Sequence, residues 1–333
     1  MTAGDDLPVS IADVRDAAAR LAGITLRTPL LPSPDLDDRT GGRVLLKPEC
    51  LQRTGSFKLR GAYNLMQKLP AEAAARGVVA WSSGNHAQGV AAAGALLGIR
   101  TTIVMPEDAP ALKIENTRRL GGETVLYDRY SGDREAIARS IAAERSASLV
   151  PSFEHADIIA GQGTVGLEVM EQAQELGIVP DQVLICCGGG GLSAGCAVAI
   201  RDASSATDLW LVEPEDFDDT RRSFASGERA TNPPDARSIC DALLTDRPGR
   251  MTLDINRRLA AGVLTVSDDE VREAMRFAFR NLKLVVEPGG AVALAAVLAG
   301  RIDCRGRSTV IVLSGGNVDE RLFADIQAEQ PES

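Results

Sequence analysis

The sequence lacks several features that would place the protein in a membrane or outside the cell. No uninterrupted apolar stretch approaches the roughly 18 residues that a membrane helix requires. The acidic segment Met1–Ser10 does not have the basic-then-apolar pattern of a signal peptide. The six cysteines include no CxxC pair and lie within apolar runs. We therefore expect a cytoplasmic protein with reduced, structural thiols and no membrane partner.

Positive charge is also scarce. The 333 residues carry 36 Lys and Arg against 46 Asp and Glu, which gives a formal net charge of −10. Nucleic-acid binding needs a basic surface that neutralises phosphates, so this balance argues against a nucleic-acid partner. Hydrophobic residues make up 44% of the chain, enough for a large core, and the length favours about two domains.

Short β-rich runs alternate with Ala-rich amphipathic segments along most of the chain. This alternation predicts an α/β fold in which helices cover parallel sheets. Four predicted strands and three predicted helices fall between about Arg76 and Phe153, enough for a separate sheet. We therefore predict a small domain at 76–153 and a larger, discontinuous domain formed by 1–75 and 154–333. The main predicted strands are Val44–Lys47, Val78–Ser82, Thr101–Met105, Glu123–Tyr127, Gln182–Cys187, Asp208–Val212 and Thr309–Leu313.

Polar or glycine-rich segments follow several of these strands, where ligands of parallel sheets bind. The strand ending at Cys187 is followed by four consecutive glycines, Gly188–Gly191, and then by a helix that begins near Leu192. Glycines let the backbone approach an anion closely, and a helix start offers free N–H groups and a positive dipole end. The segment indicates a phosphate site. The alternative is a tight strand-to-helix turn without a ligand.

A second strand is followed by the segment 82–89, SSGNHAQG. Its hydroxyls and backbone amides at a helix start would suit a carboxylate, although the same residues also form ordinary helix caps. His86 within it is interpreted as a structural residue and not as a catalytic base.

Lys58 lies in the segment 54–62, TGSFKLRGA. Ser56 resembles a helix N-cap, which would place Lys58 in the first helical turn, where the dipole lowers the pKa of an amine. A neutral amine is what an imine-forming lysine must present. Taken by itself, a lysine here is more often a solvated charge, and only the neighbouring motifs favour the chemical interpretation.

Taken together, these segments resemble the fold-type II (tryptophan synthase β-like) enzymes that depend on pyridoxal 5'-phosphate (PLP), in the branch of threonine/serine dehydratases and serine racemases. The resemblance extends from about Ile11 to Ala324. Its motifs, in chain order, are GSFKLRGA, SSGNHAQG, GQGT at 161–164, GGGGLSAG, EPGGA at 287–291 and LSGGN at 313–317.

The resemblance implies a role for each matching residue. Lys58 would carry PLP as an imine and act as the base at the substrate Cα. The remaining cofactor contacts would be Phe57 near the ring, Asn85 at the phenolic oxygen, Ser314 at the pyridine nitrogen with Glu287 nearby, and Gly188, Gly189, Gly190, Gly191 and Leu192 at the phosphate. The substrate carboxylate would be bound by Ser82, Ser83, Gly84, Asn85 and His86.

Two departures separate this sequence from a plain threonine dehydratase: Ser83, and the segment 238–243, SICDAL, where the family commonly has an Ala-Asp-Gly sequence that borders the substrate side. Ser83 stands where those enzymes usually have alanine, and racemases and hydroxyaspartate dehydratases of the branch use a serine there as the acid/base on the opposite cofactor face. The acidic segment Glu213–Asp219 also matches the cation site of racemase-like members. Glu213, the Phe217 carbonyl and Asp219 would bind Mg²⁺ or Ca²⁺, which prefer oxygen ligands. The alternative is a solvated acidic loop.

The sequence thus predicts a dehydratase that converts L-threonine or L-serine to 2-oxobutanoate or pyruvate and ammonia. Two alternatives within the family stay open: a serine racemase, and a dehydratase of 3-hydroxyaspartate or another β-hydroxy-amino acid. Arg134 sits where racemase relatives place an arginine near the active-site rim. It would meet a second substrate carboxylate there, but a solvated residue at the start of a helix is the favoured alternative. A non-catalytic amino-acid or nucleotide-binding protein is the alternative of another class. The family resemblance further implies a homodimer or homotetramer.

Overall fold

The computed structural model describes residues 7–82, 84–109, 111–128 and 132–329. Within these ranges the strands are β1 Leu31–Pro32, β2 Arg43–Pro48, β3 Val78–Trp81, β4 Thr101–Pro106, β5 Glu123–Tyr127, β6 Ser148–Leu149, β7 Gln182–Cys186, β8 Asp208–Pro214, β9 Gly262–Val266 and β10 Ser308–Leu313. The helices are α1 Ile11–Leu21, α2 Pro34–Thr40, α3 Lys58–Gln67, α4 Ala71–Arg76, α5 Asn85–Leu97, α6 Ala111–Arg119, α7 Arg134–Arg145, α8 Ala156–Glu175, α9 Gly191–Ala203, α10 Asp219–Ser226, α11 Arg250–Leu259, α12 Asp268–Phe277, α13 Pro288–Leu298 and α14 Glu320–Ala328.

The strands form two sheets, as the sequence predicts. The larger sheet has the order β1-β2-β10-β7-β8-β9, and the smaller has the order β5-β4-β3-β6. All pairs are parallel except β1 with β2, which is antiparallel. The α/β prediction is therefore confirmed, with one short antiparallel strand added at the edge. The four strands of the smaller sheet lie between residues 78 and 149; the domain boundaries at 76 and 153 stay a prediction.

The central strands are apolar because helices cover both faces of the larger sheet. Five of the six β2 residues and five of the six β10 residues are buried. Helices α8 and α9 approach each other so closely that a Cβ on Gly195 would lie 2.1 Å from the Ile159 carbonyl oxygen. Glycine is therefore required at this helix contact. Among the described helices, none combines the length and the apolarity that crossing a membrane demands.

A buried charge network fixes helix α3, the helix that begins at Lys58. The Arg60 guanidinium donates to both carboxylate oxygens of Glu49 at 2.8 Å and to Glu168 Oε1 at 2.6 Å. Lys47 Nζ donates to Glu168 Oε2 at 2.6 Å. Arg60, Glu49 and Lys47 are fully buried, so each charge depends on its partners for compensation. The network ties α3 to β2 and α8 and sets where Lys58 lies.

Candidate active site

A cavity of about 580 Å³ lies where carboxyl ends of strands from both sheets converge. Every described residue that the sequence predicts to contact cofactor or substrate lines this cavity. They are Phe57, Lys58, Ser82, Gly84, Asn85, His86, Gly188, Gly189, Gly190, Gly191, Leu192, Glu287 and Ser314. Ser83, predicted as a second catalytic residue and carboxylate ligand, lies outside the described residues. The structure brings the predicted residues together; their roles stay predictions.

Lys58 is the first residue of α3, and its Nζ lies 3.4 Å from the Ser152 carbonyl oxygen, to which it donates. Burial lowers the pKa of Lys58 from 10.5 to about 8, and the nearby Glu287 carboxylate opposes part of that shift. The predicted placement in the first helical turn is correct. The predicted N-cap is wrong: Ser56 makes no capping bond because its extended backbone pairs with Gly315 and the helix begins after Phe57.

Gly188, Gly189 and Gly190 lie in the turn between β7 and α9, and Gly191 is the first residue of α9. Gly190 has a φ of +87°, a conformation that favours glycine. A Cβ on Gly189 would lie 2.2 Å from Phe153 Cδ1, so a side chain cannot be accommodated there. Thr252 Oγ1 donates to the Gly189 carbonyl at 2.6 Å, and Ser193 Oγ donates to the Gly190 carbonyl at 3.0 Å. Both carbonyl oxygens therefore accept hydrogen bonds from side-chain hydroxyls. The N–H groups at the start of α9 have no acceptor within the helix, and they suit an anion.

Asn85 and His86 begin α5 on the other side of Lys58. Asn85 Nδ2 donates to Glu287 Oε1 at 2.5 Å. His86 Nε2 lies 2.8 Å from the Val150 carbonyl oxygen, and because a carbonyl can only accept, this ring nitrogen carries the hydrogen. Burial and then Lys58 lower the pKa of His86 to about 3. The imidazole is therefore neutral, and its structural bond to Val150 agrees with the sequence interpretation.

Ser314, directly after β10, contacts a residue that sequence reasoning missed. The Cys186 thiol donates to Ser314 Oγ at 3.2 Å, and burial raises the pKa of Cys186 to about 11. The thiol is therefore neutral at ordinary pH. The position of Cys186 at the end of β7, two residues before the glycines, was the available signal, since the last residue of a buried strand often reaches the ligand site of a parallel sheet.

An ion pair crosses the cavity between the two sheets. Lys113 on α6 contacts Asp241, which belongs to the short 3-10 helix Asp241–Leu243. Asp241 and Leu243 line the cavity. Burial raises the pKa of Glu287, and Asp241 raises it further, whereas Lys113 lowers it. The electrostatics of the site thus depend on residues of both sheets.

The predicted cation ligands lie apart from the cavity. Glu213 accepts from the backbone N–H groups of Thr220 and Arg221 at 3.0 and 2.9 Å. Asp219 Oδ1 accepts from Asn232 at 2.6 Å, whereas Asp219 Oδ2 is buried without a hydrogen-bond partner. Burial raises the pKa of both carboxyls. Among the described residues, no three His, Cys, Asp or Glu side chains cluster to hold a metal ion.

Comparisons with known proteins agree with this geometry. The family model described as "Pyridoxal-phosphate dependent enzyme" matches residues 21–315. An L-threo-3-hydroxyaspartate ammonia-lyase of Pseudomonas sp is 44% identical over 95% of this chain and 98% of that protein. The catabolic L-threonine dehydratase of Escherichia coli K12 is 40% identical over 94% of each chain. The solved structure of maize serine racemase superposes with a TM-score of 0.90 at 35% identity, covering 95% of this chain and 96% of the other. This chain therefore belongs to the fold-type II, PLP-dependent enzymes, in the group that contains threonine dehydratases, hydroxyaspartate ammonia-lyases and serine racemases.

Proposed function

We propose that this protein is an ammonia-lyase that removes water from a small β-hydroxy-amino acid and releases a 2-oxo acid and ammonia. L-threonine and L-serine are the first candidate substrates. The observation that carries the proposal is the position of the Lys58 amine, which lines one cavity with a glycine turn suited to phosphate and with the Asn85–Glu287 pair. A non-catalytic binding protein has no use for such an amine between two anion sites.

The cavity residues fit PLP. The N–H groups of Gly188–Leu192 would hold its phosphate, Lys58 would attach it covalently, and Ser314 and Asn85 would bind the ring nitrogen and the phenolic oxygen. Phe57 and Glu287 complete the lining. When bound, PLP supplies an electron sink for the negative charge that develops at the substrate Cα.

The chain's own residues would supply binding and proton transfer. Lys58 has a pKa of about 8, so roughly a tenth of its amine is neutral near pH 7, far more than for an ordinary lysine, and can accept a Cα proton. The loop Ser82, Ser83, Gly84, Asn85 and His86 would bind the substrate carboxylate. Ser83 would hold or accept a proton on the face opposite Lys58, which would allow racemisation beside elimination.

A second candidate substrate is 3-hydroxyaspartate. Arg134 lines the cavity and is exposed, and it makes no hydrogen bond or ion pair with any other described residue. A free guanidinium there would suit the second carboxylate of such a substrate, because arginine binds carboxylates in a bidentate way. The 44% identity to a hydroxyaspartate ammonia-lyase supports the same choice.

The test combines colour and a substrate panel. The purified protein should show a visible absorption band that borohydride bleaches and that Lys58→Ala abolishes. Serine, threonine and 3-hydroxyaspartate isomers should then be assayed for 2-oxo acid and for enantiomer interconversion. Arg134→Gln should lower kcat/KM for 3-hydroxyaspartate at least about tenfold, with little change for serine. A colourless protein that added PLP does not alter would refute the proposal.

We also infer a Mg²⁺ or Ca²⁺ site at Glu213, the Phe217 carbonyl and Asp219. The buried, unpartnered Asp219 Oδ2 supports it, because a buried carboxylate oxygen without a partner is costly unless a cation binds it. Millimolar Mg²⁺ or Ca²⁺ should raise the melting temperature, and Asp219→Asn should remove that increase. The matched control is Asp218→Asn, whose carboxylate already pairs with Arg222. An equal increase in Asp219→Asn would contradict the site.

We propose that the protein is located in the cytoplasm and forms a homodimer or homotetramer. Solved relatives share the whole fold at TM-scores of 0.88 and 0.90, so a shared mode of association is expected. Sedimentation of the purified protein would give its mass, and a monomer at micromolar concentration would rule the assembly out.

A further inference from the structure

Asn317, at the end of the LSGGN segment, connects the two parts of the chain that flank the Lys58 amine. Its Nδ2 donates to the Thr54 carbonyl oxygen at 2.7 Å and to Asn85 Oδ1 at 2.8 Å. Thr54 lies four residues before Lys58, and Asn85 is the first residue of α5. Asn317 itself does not line the cavity, so any influence on a bound ligand passes through these neighbours.

The chemistry of these bonds fixes how each amide is oriented. The Thr54 carbonyl can only accept a hydrogen bond, so Asn317 must present its NH₂ group to this side. That same NH₂ group faces Asn85, which must therefore present its oxygen to Asn317. The NH₂ group of Asn85 consequently points the opposite way, where it donates to Glu287 Oε1 at 2.5 Å. Among the described residues this nitrogen has no second partner, and its second N–H is left for a ligand in the cavity.

The surroundings leave Asn317 little freedom to rotate. A Cβ on Gly55 would lie 2.4 Å from Asn317 Oδ1, so the side chain packs directly on that backbone. Gly316 N donates to the Gly55 carbonyl at 2.9 Å, and Ser56 pairs with Gly315. Thr54 has a φ of +68°, an uncommon conformation for threonine that the bond to Asn317 helps to hold.

We propose that Asn317 is a positioning residue that sets the amide orientation of Asn85, so that Asn85 offers an N–H donor and not a carbonyl oxygen to the phenolic oxygen of PLP. The inference rests on the proposed function, because it assumes that PLP occupies the cavity. A donor at this point stabilises the deprotonated phenolic oxygen, and its loss or reversal favours the protonated one. The protonation state of bound PLP is visible in its absorption spectrum.

The test measures the spectrum and the PLP affinity of Asn317→Asp and Asn317→Ala. The carboxylate of Asn317→Asp has nearly the same shape but cannot donate, so Asn85 is expected to turn its NH₂ group toward it and its oxygen toward the ring. Both variants should lose intensity in the visible band and gain it in the near-ultraviolet band, with a PLP dissociation constant raised about tenfold, the size expected for one lost hydrogen bond.

Asn64→Ala is the matched control. Asn64 is a fully buried amide on α3 that donates to the Asp157 carbonyl at 2.7 Å and accepts from Arg20 at 3.1 Å. Asn64→Ala should lower the melting temperature about as much as Asn317→Ala does. It should leave the ratio of the visible to the near-ultraviolet band unchanged. An unchanged spectrum in folded Asn317→Asp or Asn317→Ala, or an equal spectral change in Asn64→Ala, would overturn the proposal. A wild-type protein without a visible band would instead count against the proposed function.

Discussion

At the scale of single residues, the reactivity of Lys58 depends on its surroundings. An ordinary lysine has a pKa of 10.5 and is almost fully charged at neutral pH, whereas burial brings the pKa of Lys58 to about 8. The neighbouring groups keep this shift moderate, because the Glu287 carboxylate favours the charged amine. The protein therefore has an amine that is partly neutral near pH 7 and still basic enough to accept a proton.

This predicts a pH dependence for cofactor capture. The neutral amine is the nucleophile, so the rate at which PLP-free protein binds PLP covalently should rise as pH increases through about 8 and level off above about 9. Stopped-flow absorbance with added PLP would measure it. Lys68→Ala, which removes an exposed lysine paired with Asp157, should give the same profile. A midpoint near 10.5, the value of an exposed lysine, would contradict the assigned environment.

The residues of the site differ in how far the sequence alone identified them. Lys58, Asn85 and Ser314 belong to motifs whose order along the chain is distinctive, so they could be named without coordinates. Cys186 and Asn317 lie beside or within such motifs, but their contacts could not be named, because these contacts join segments more than 100 residues apart. The N-cap role predicted for Ser56 was wrong, because a serine before a helix can also lie in extended backbone that pairs with a distant glycine.

At the scale of elements, helix α3 is stabilised more by the buried ion pairs of Arg60 than by the helix propensity of its residues. Arg60 lies in its first turn and is compensated by Glu49 and Glu168. Burial acts to raise the pKa of Glu49, but Arg60 outweighs it and the net shift is downward. Such a carboxylate stabilises the fold above its unfolded pKa, and the contribution is lost as pH falls through the lower folded value.

Arg60→Met should therefore destabilise the protein in a pH-dependent way. Removing the guanidinium leaves Glu49 buried without its main partner, which costs about 3–5 kcal/mol at neutral pH. The cost should shrink at about pH 4, where that carboxyl can take up a proton. Urea unfolding at both pH values measures the difference. Arg15→Met, which breaks an exposed pair with Asp202, should change stability by less than about 1 kcal/mol. An equal cost for Arg60→Met at both pH values would rule out this explanation.

The central strands of both sheets were predictable, whereas the edge strands of the larger sheet were not. The central strands β4, β7 and β10 lie within one residue of their predicted bounds, because their apolar runs end in clear turn residues. The strands β1 and β9 were missed. β1 has only two residues, and four of the five β9 residues are only half-buried, so neither leaves the continuous apolar pattern of a central strand.

At the scale of the whole molecule, the sequence predicted two sheets but not their strand order. Order within a sheet depends on pairings between distant segments, and no local pattern marks β10 as the neighbour of both β2 and β7. The same long-range arrangement brings Lys113 to Asp241 across the cavity. The ion pair adds an electrostatic contact between the smaller sheet's helices and the larger sheet's loops, in a chain whose net charge is otherwise strongly negative.

The central position of β10 in the larger sheet also affects the order in which the two sheets can form during synthesis. A ribosome releases β2 and β7 long before residues 308–313, yet these two strands are neighbours only through β10. The smaller sheet, with all its strands between residues 78 and 149, needs no later segment and can pair while synthesis continues. The larger sheet cannot be completed until residues 308–313 have been synthesised, so Ser314 reaches the cavity after the smaller sheet can already form. A nascent chain stopped before β10 would expose two unpaired strand edges, the kind of surface that chaperones protect.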